Sequence, residues 1–207
     1  MFSLLMYEGK NREDLINKIT EELNCNENEL VILEQFTEGK LFKSQKYNLS
    51  VITKAEIKKQ LKNFFNELGK LMNVTIESEI NITEDNIYNI NLVTSNNSIL
   101  IGKEGKTLDA IQCLLRQISQ NDLQNKIKIN VDISNYKYEQ TKKLEKNIKN
   151  IAKEVLKTKV DTSLDPMNSY NRRIVHTIVS EFSDLETESI GEGKERHVVI
   201  RYVGKEL

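Results

Sequence analysis

Two short stretches carry residue types able to do chemistry. The first is Ile101-Gly102-Lys103-Glu104-Gly105-Lys106, where two glycines bracket the charged pair Lys103-Glu104. Glycines at both ends of a two-residue turn let a sugar-phosphate backbone approach without meeting a Cβ. The free amides opening the next helix, together with Lys103 and Lys106, can then face phosphates. The second is Arg172 with His176. Three intervening residues put both on one helix face, where a guanidinium can pair with a phosphate and an imidazole can stack on a base or bond a phosphate. Arg173 and Arg196 add cations nearby, and four of the six arginines (Arg172, Arg173, Arg196, Arg201) fall in the last 36 residues. A third feature is a run of lysines at helical spacing: Lys142, Lys146, Lys149, Lys153 and Lys157. It reads equally as a phosphate-facing stripe or as an ordinary solvated face opposite an apolar seam.

Each feature has a plainer reading. With eight glycines in the chain, Gly-x-x-Gly spacing alone is a weak signal, and its context has to supply the specificity. A histidine on a helix is often packed against a strand for structural reasons. Gly105-Lys106-Thr107 imitates the end of a nucleotide-binding P-loop, but that motif needs a glycine where Leu100 stands, and no strand leads into it. No paired carboxylates, metal cluster or His-based nucleophile accompany Gly102, so an enzyme acting on RNA is disfavoured. Cys25 and Cys113 are far apart, and His176 and His197 are the only histidines, so neither a zinc site nor any other metal or cofactor is expected.

These residues need scaffolds, and 207 residues allow one or two ordinary domains or several small ones. The 38% hydrophobic and 29% charged content supports modest cores under a solvated surface. A formal net charge of −1 argues against coating nucleic acid by bulk attraction and requires any polyanion site to be local. Met1 to Met6 is too short an apolar run for a signal peptide or membrane span, and the cysteine usage fits a reducing cytoplasm.

Periodicity divides the chain into three α+β modules: 1–54, 55–135 and 136–207. In the first, Leu15, Ile16, Ile19 and Leu23 mark a helix capped by Asn11 after a short strand, with strands over Leu30–Phe36 and Tyr47–Ile52. A helix starting near Lys54, its apolar stripe running up to Met72, opens the second without a flexible linker. Strands Val74–Ile82 and Ile87–Thr94, a helix, the Gly loop, a helix from Thr107 to about Ser119 and a strand Lys126–Ile133 complete it. The third has a helix over Tyr136–Thr158, about 34 Å long at 1.5 Å per residue and expected to fix the spacing between the two candidate sites. A helix over Asn168–Phe182, strand Leu185–Ser189, a Gly191-Glu192-Gly193 turn and strand His197–Val203 follow. Glu181, Asp184, Glu186, Glu188 and Glu192 make the neighbouring edge acidic and repellent to RNA.

The order helix, strand, strand, helix, helix, strand over 55–133, with Ile99-Leu100-Ile101 before the loop and Leu108 and Ile111 after it, resembles the KH domain of bacterial type. The last module has Asp165-Pro166-Met167, Tyr170, Arg172-Arg173-Ile174-Val175-His176, Thr187-Glu188-Ser189, Gly191-Glu192-Gly193, Arg196 and Val198-Val199-Ile200. With these the whole chain resembles the bacterial Jag family, also called KhpB or EloR, of SpoIIIJ-associated RNA-binding proteins. Such proteins join a Jag N-terminal domain, a KH domain and an Arg-xxx-His domain that binds single-stranded nucleic acid. Asn171 stands where an acidic residue is common, and Glu38-Gly39-Lys40-Leu41-Phe42-Lys43 replaces the usual Gly-Phe-Leu-Gly-like turn of the Jag domain. The basic linker frequent after that domain is missing.

The resemblance implies a cytoplasmic, non-enzymatic regulator of cell elongation or division and cell-wall growth that binds single-stranded RNA and needs no cofactor. It also implies a small KH protein or a second copy as partner, and a membrane insertase as neighbour through the N-terminal domain. The competing expectation is a protein-interaction scaffold beside that insertase with weak or no nucleic-acid binding.

Overall fold

The computed structural model describes residues 2–38 and 46–204. Residues 39–43 of the altered turn therefore lie outside the described residues. The fold is α+β, with six α-helices and three three-stranded sheets among the described residues. It divides into two compact units, Met1–Ser134 and Asn135–Leu207. The first unit thus holds both the N-terminal elements and the Gly loop.

The N-terminal elements are β1 (Leu5–Gly9), α1 (Arg12–Leu23), β2 (Leu30–Thr37) and β3 (Lys46–Thr53), paired antiparallel in the order β1-β3-β2. The Asn11 side chain accepts the Glu13 amide at 3.0 Å, starting α1, and Asn24 ends it in the left-handed region at φ 47°. Leu15, Ile16 and Ile19 pack on Leu30, Leu49 and Val51, one face of the sheet. The other face carries Val31, Leu33 and Ile52, and these are buried as well. A sheet apolar on both faces is covered on both. The chain start adds anchors: Phe2 is buried and its amide donates to Asp122 Oδ2 at 2.8 Å, while the Ser3 amide donates to Gln60 Oε1 at 3.2 Å.

β3 runs directly into α2 (Lys54–Met72), because Thr53 Oγ1 accepts the Glu56 amide at 3.1 Å and caps the helix. Then come β4 (Ile76–Ile82), β5 (Ile87–Thr94), α3 (Asn97–Ile101), a single 3-10 turn (Lys103–Gly105), α4 (Lys106–Leu123) and β6 (Lys128–Ile133). β4 and β5 are antiparallel, whereas β5 and β6 are parallel, which obliges the chain to cross over through α3 and α4. Tyr88, Ile90 and Leu92 of β5 and Ile129, Val131 and Ile133 of β6 alternate inward and are buried, as are Ile57, Leu61 and Phe65 of α2. α4 passes the expected stop near Ser119, because that serine is buried and its hydroxyl donates to the Ile127 carbonyl at 3.0 Å.

The second unit contains α5 (Tyr136–Thr158), β7 (Thr162–Ser163), α6 (Ser169–Val179), β8 (Leu185–Ile190) and β9 (His197–Tyr202), with sheet order β7-β9-β8, antiparallel throughout. Ile148, Ala152 and Val155 of α5 pack with Val175, Ile178 and Val179 of α6 on Leu185, Val198 and Ile200. α6 ends at Val179 instead of Phe182, because the Glu181 and Phe182 amides bond back three residues to Ile178 and Val179. No described helix is long and apolar enough to cross a membrane.

Candidate nucleic-acid interface

The Gly loop is built by its backbone. α3 stops where the Gly102 amide donates to the Ser98 carbonyl at 2.9 Å. Gly102 then takes φ 72° and ψ −178°, a conformation that side chains resist. A Cβ there would overlap Thr107 Oγ1 and lie 3.0 Å from the Thr107 amide nitrogen, so position 102 excludes any other residue on two counts. Glu104 (φ 57°) and Gly105 (φ 82°) are also left-handed. The turn thrusts Lys103, Glu104 and Lys106 into solvent while Gly105 is buried.

Two details depart from the sequence expectation. The Gly105 and Lys106 amides are not free: they bond back three residues to the Gly102 and Lys103 carbonyls, closing two successive tight turns through the left-handed Glu104. Lys106 Nζ lies 3.5 Å from Glu104 Oε2, with both side chains about 70% exposed, so water screens the pair and leaves the lysine available to a phosphate.

The Arg-His face is built by side chains. Asn168 Oδ1 accepts the Asn171 amide at 2.9 Å and starts α6, so Arg172 and His176 fall one above the other, one turn apart. The Arg172 Nη1 donates to the Met167 carbonyl at 2.9 Å, and the Met167 amide donates to the Arg196 carbonyl at 3.1 Å. The Leu164 amide bonds the Val198 carbonyl at 2.9 Å, so the segment around Pro166 lies along the start of β9. Arg172 and Arg196 are thus joined through one residue. Arg173 and Arg196 have exposed side chains with no ion pair among the described residues.

His176 does not project freely. Its Nδ1 is 2.6 Å from Thr187 Oγ1 and its Nε2 is 3.0 Å from Ser189 Oγ. Thr187 and Ser189 are two apart on β8 and share the face turned to α6. A hydroxyl can donate or accept, so the two serve the ring in either tautomer. They were legible as a Thr-x-Ser alternation but not as the histidine's partners, because the contact spans separate elements.

The lysine stripe divides. Lys149 Nζ is 3.3 Å from Glu181, and Lys142 Nζ lies 4.5 Å above the Tyr138 ring, while Lys146, Lys153 and Lys157 are exposed and unpaired among the described residues. Glu188, on the acidic edge, is held by Arg201 at 2.7 Å.

Comparison with known proteins covers both units. Residues 58–133 match the model of the KhpA/KhpB KH domain, and residues 142–202 match that of the domain named for its Arg-xxx-His motif. RNA-binding protein KhpB of Clostridium symbiosum is 35% identical over 93% of this chain and 88% of its own length. The protein of the same name from Bacillus subtilis (strain 168) is 27% identical over 94% of this chain and 96% of its own length. A longer one from Streptococcus pneumoniae serotype 2 is 27% identical over 60% of this chain and 39% of its own.

Proposed function

The chain belongs to the KhpB family, and from that premise we propose that it is a non-enzymatic regulator binding single-stranded RNA at both candidate sites. The observation that carries this reading is the Gly102–Lys106 turn. Its three left-handed residues keep side-chain bulk away from the approach and place Lys103 and Lys106 in solvent beside it. The RNA backbone lies along this turn. In the second unit Arg172, Arg173 and Arg196 supply the cations, and His176 holds the β8 hydroxyls in place beside them. Lys146, Lys153 and Lys157 add phosphate contacts. In the cell the protein acts in the cytoplasm in the control of elongation and division, with a KH partner or a second copy, and its N-terminal elements neighbour the membrane insertase.

Fluorescence anisotropy with unstructured RNAs of six and about thirty nucleotides tests the reading. True phosphate contacts lower log affinity by about 0.7 per contact for each decade of salt. If both sites engage, the long RNA binds at least roughly tenfold tighter, because the second contact gains effective concentration. A flat salt dependence and equal affinities would instead favour the scaffold.

A further inference from the structure

The two edges of the β4-β5-β6 sheet are finished differently. Side chains close the outer edge of β6. Gln112 Nε2 donates to the Ile129 carbonyl and its Oε1 accepts the Val131 amide at 2.9 Å. The Ser119 hydroxyl donates to the Ile127 carbonyl at 3.0 Å, and Asp132 Oδ1 accepts the Ile133 amide at 2.8 Å. β4 forms the opposite edge and has no such cover among the described residues. The Ser95 amide donates to the Thr75 carbonyl at 3.3 Å and the Thr83 amide to the Ile87 carbonyl at 3.0 Å, one bonded pair just beyond each end of the β4–β5 register. Bonded pairs alternate along an antiparallel ladder, so Glu77, Glu79 and Asn81 bond to β5, while Ile76, Ser78, Ile80 and Ile82 turn their N–H and C=O outward. Ile76–Ile82 also contains no proline, no lysine and no left-handed residue, the usual means of blunting an edge.

A strand added along β4 would have two different faces. On the open face of the sheet Glu77 and Glu79 are exposed, without an ion pair among the described residues. Asn91 and then Asp132 stand across from Glu79, and Lys128 lies at the far corner beside Ile87. On the α2 side, a groove of about 980 Å³ separates the helix flank from the start of β4, with Asn63, Asn66, Lys70, Asn73, Thr75 and Ile76 in its lining. Lys70 is held by Glu67 at 2.6 Å, which leaves the groove polar and neutral. Free backbone donors and acceptors at strand spacing fit an extended polypeptide. The glutamates choose among strands: a second copy would set another Glu77 and Glu79 on the same face, and RNA phosphates would meet the same repulsion. A segment with Lys or Arg at every second position and short side chains between them suits both faces.

We propose that β4 is a docking edge for a basic, extended segment of another protein, which adds to the three-stranded sheet as a further strand. The segment's backbone bonds to Ile76, Ser78, Ile80 and Ile82. Its cations cover Glu77 and Glu79, and its alternate side chains rest in the groove beside α2. The Gly loop belongs to the crossover into β6, the opposite edge, and the inference does not rest on its RNA-binding reading.

The test uses the full chain and two end-blocked peptides, Lys-Thr-Lys-Val-Lys-Thr-Lys and the same sequence with Glu for every Lys. At saturating Lys peptide, hydrogen exchange at the Ile76, Ser78, Ile80 and Ile82 amides slows by about tenfold, while the Glu77, Glu79 and Asn81 amides, already bonded to β5, keep their rates. The Lys peptide binds about tenfold tighter than the Glu peptide, and Glu77→Lys with Glu79→Lys reverses that order. Ser78→Pro, which removes an outward amide and no bond to β5, abolishes binding of the Lys peptide. The exchange pattern of the unmodified chain is read independently of whether a variant folds. Unchanged exchange at the outward amides, or equal binding of the two peptides, overturns the proposal. Slowing that grows with protein concentration in the absence of peptide assigns the edge to a second copy, and slowing by a six-nucleotide RNA assigns it to nucleic acid; either result also overturns it.

Discussion

The Gly loop and the Arg-His face reach similar electrostatic ends by opposite means. In the loop, backbone conformation does the positioning and the charged side chains stand in solvent. Around α6, the side chains do the positioning: Arg172 holds Met167, and His176 is held between two hydroxyls. One site therefore tolerates changes of charge and not of its glycines. The other cannot lose Arg172 or His176 without losing part of its frame.

The sharpest way to break this contrast is Gly102→Ala. Left-handed strain and overlap with Thr107 together cost about 2 kcal/mol or more, read as a lower denaturation midpoint. A variant as stable as the original would show that the backbone of the turn is not the constraint. Next, His176→Ala strands the Thr187 and Ser189 hydroxyls and lowers stability by about 1–3 kcal/mol, whereas Arg196→Ala, whose side chain has no partner among the described residues, leaves the melting curve in place and weakens RNA binding. Equal melting of the two would erase the distinction between frame and contact.

A smaller effect, on binding alone, is expected from Lys103 and Glu104 both changed to Asp. Reversing one exposed charge at the turn reduces RNA affinity about tenfold, or about 1.4 kcal/mol, with no shift in melting. The smallest concerns the α5 lysines. Replacing Lys146 and Lys153 with Gln flattens the plot of log affinity against log salt by about 1.4, while Lys149→Gln flattens it by less than the about 0.7 of one phosphate contact, because Lys149 is already paired with Glu181. An identical change from all three would return the stripe to an ordinary solvated face.

How much of this was legible in the sequence follows from how local each feature is. α2 and α5 begin and end near the residues their apolar stripes indicate, and Asn11 caps α1 as its place before the stripe suggests. The Gly turn and the shared face of Arg172 and His176 depend only on spacing along the chain. What escaped depends on partners elsewhere. β7 is two residues long and exists because β9 pairs with it. The end of α4 was misplaced because Ser119 reads as polar and exposed until Ile127 is beside it. Gln112, Thr187 and Ser189 look like surface residues in sequence, and their roles appear only when a strand edge or an imidazole comes within hydrogen-bonding distance.

The N-terminal sheet, buried on both faces, bears on how this protein can be cut into pieces. Val31, Leu33 and Ile52 are buried, so the surface that covers them is apolar in turn, and their sheet shares the compact unit Met1–Ser134 with the Gly-loop elements. A fragment beginning at Lys54 would expose that counterpart surface and lose the Phe2 and Ser3 tethers to Asp122 and Gln60. Such a fragment would tend to precipitate or self-associate when expressed alone, with its Gly loop intact. Poor solubility of an isolated second module would therefore reflect a missing cover, and supplying residues 2–53 should restore it.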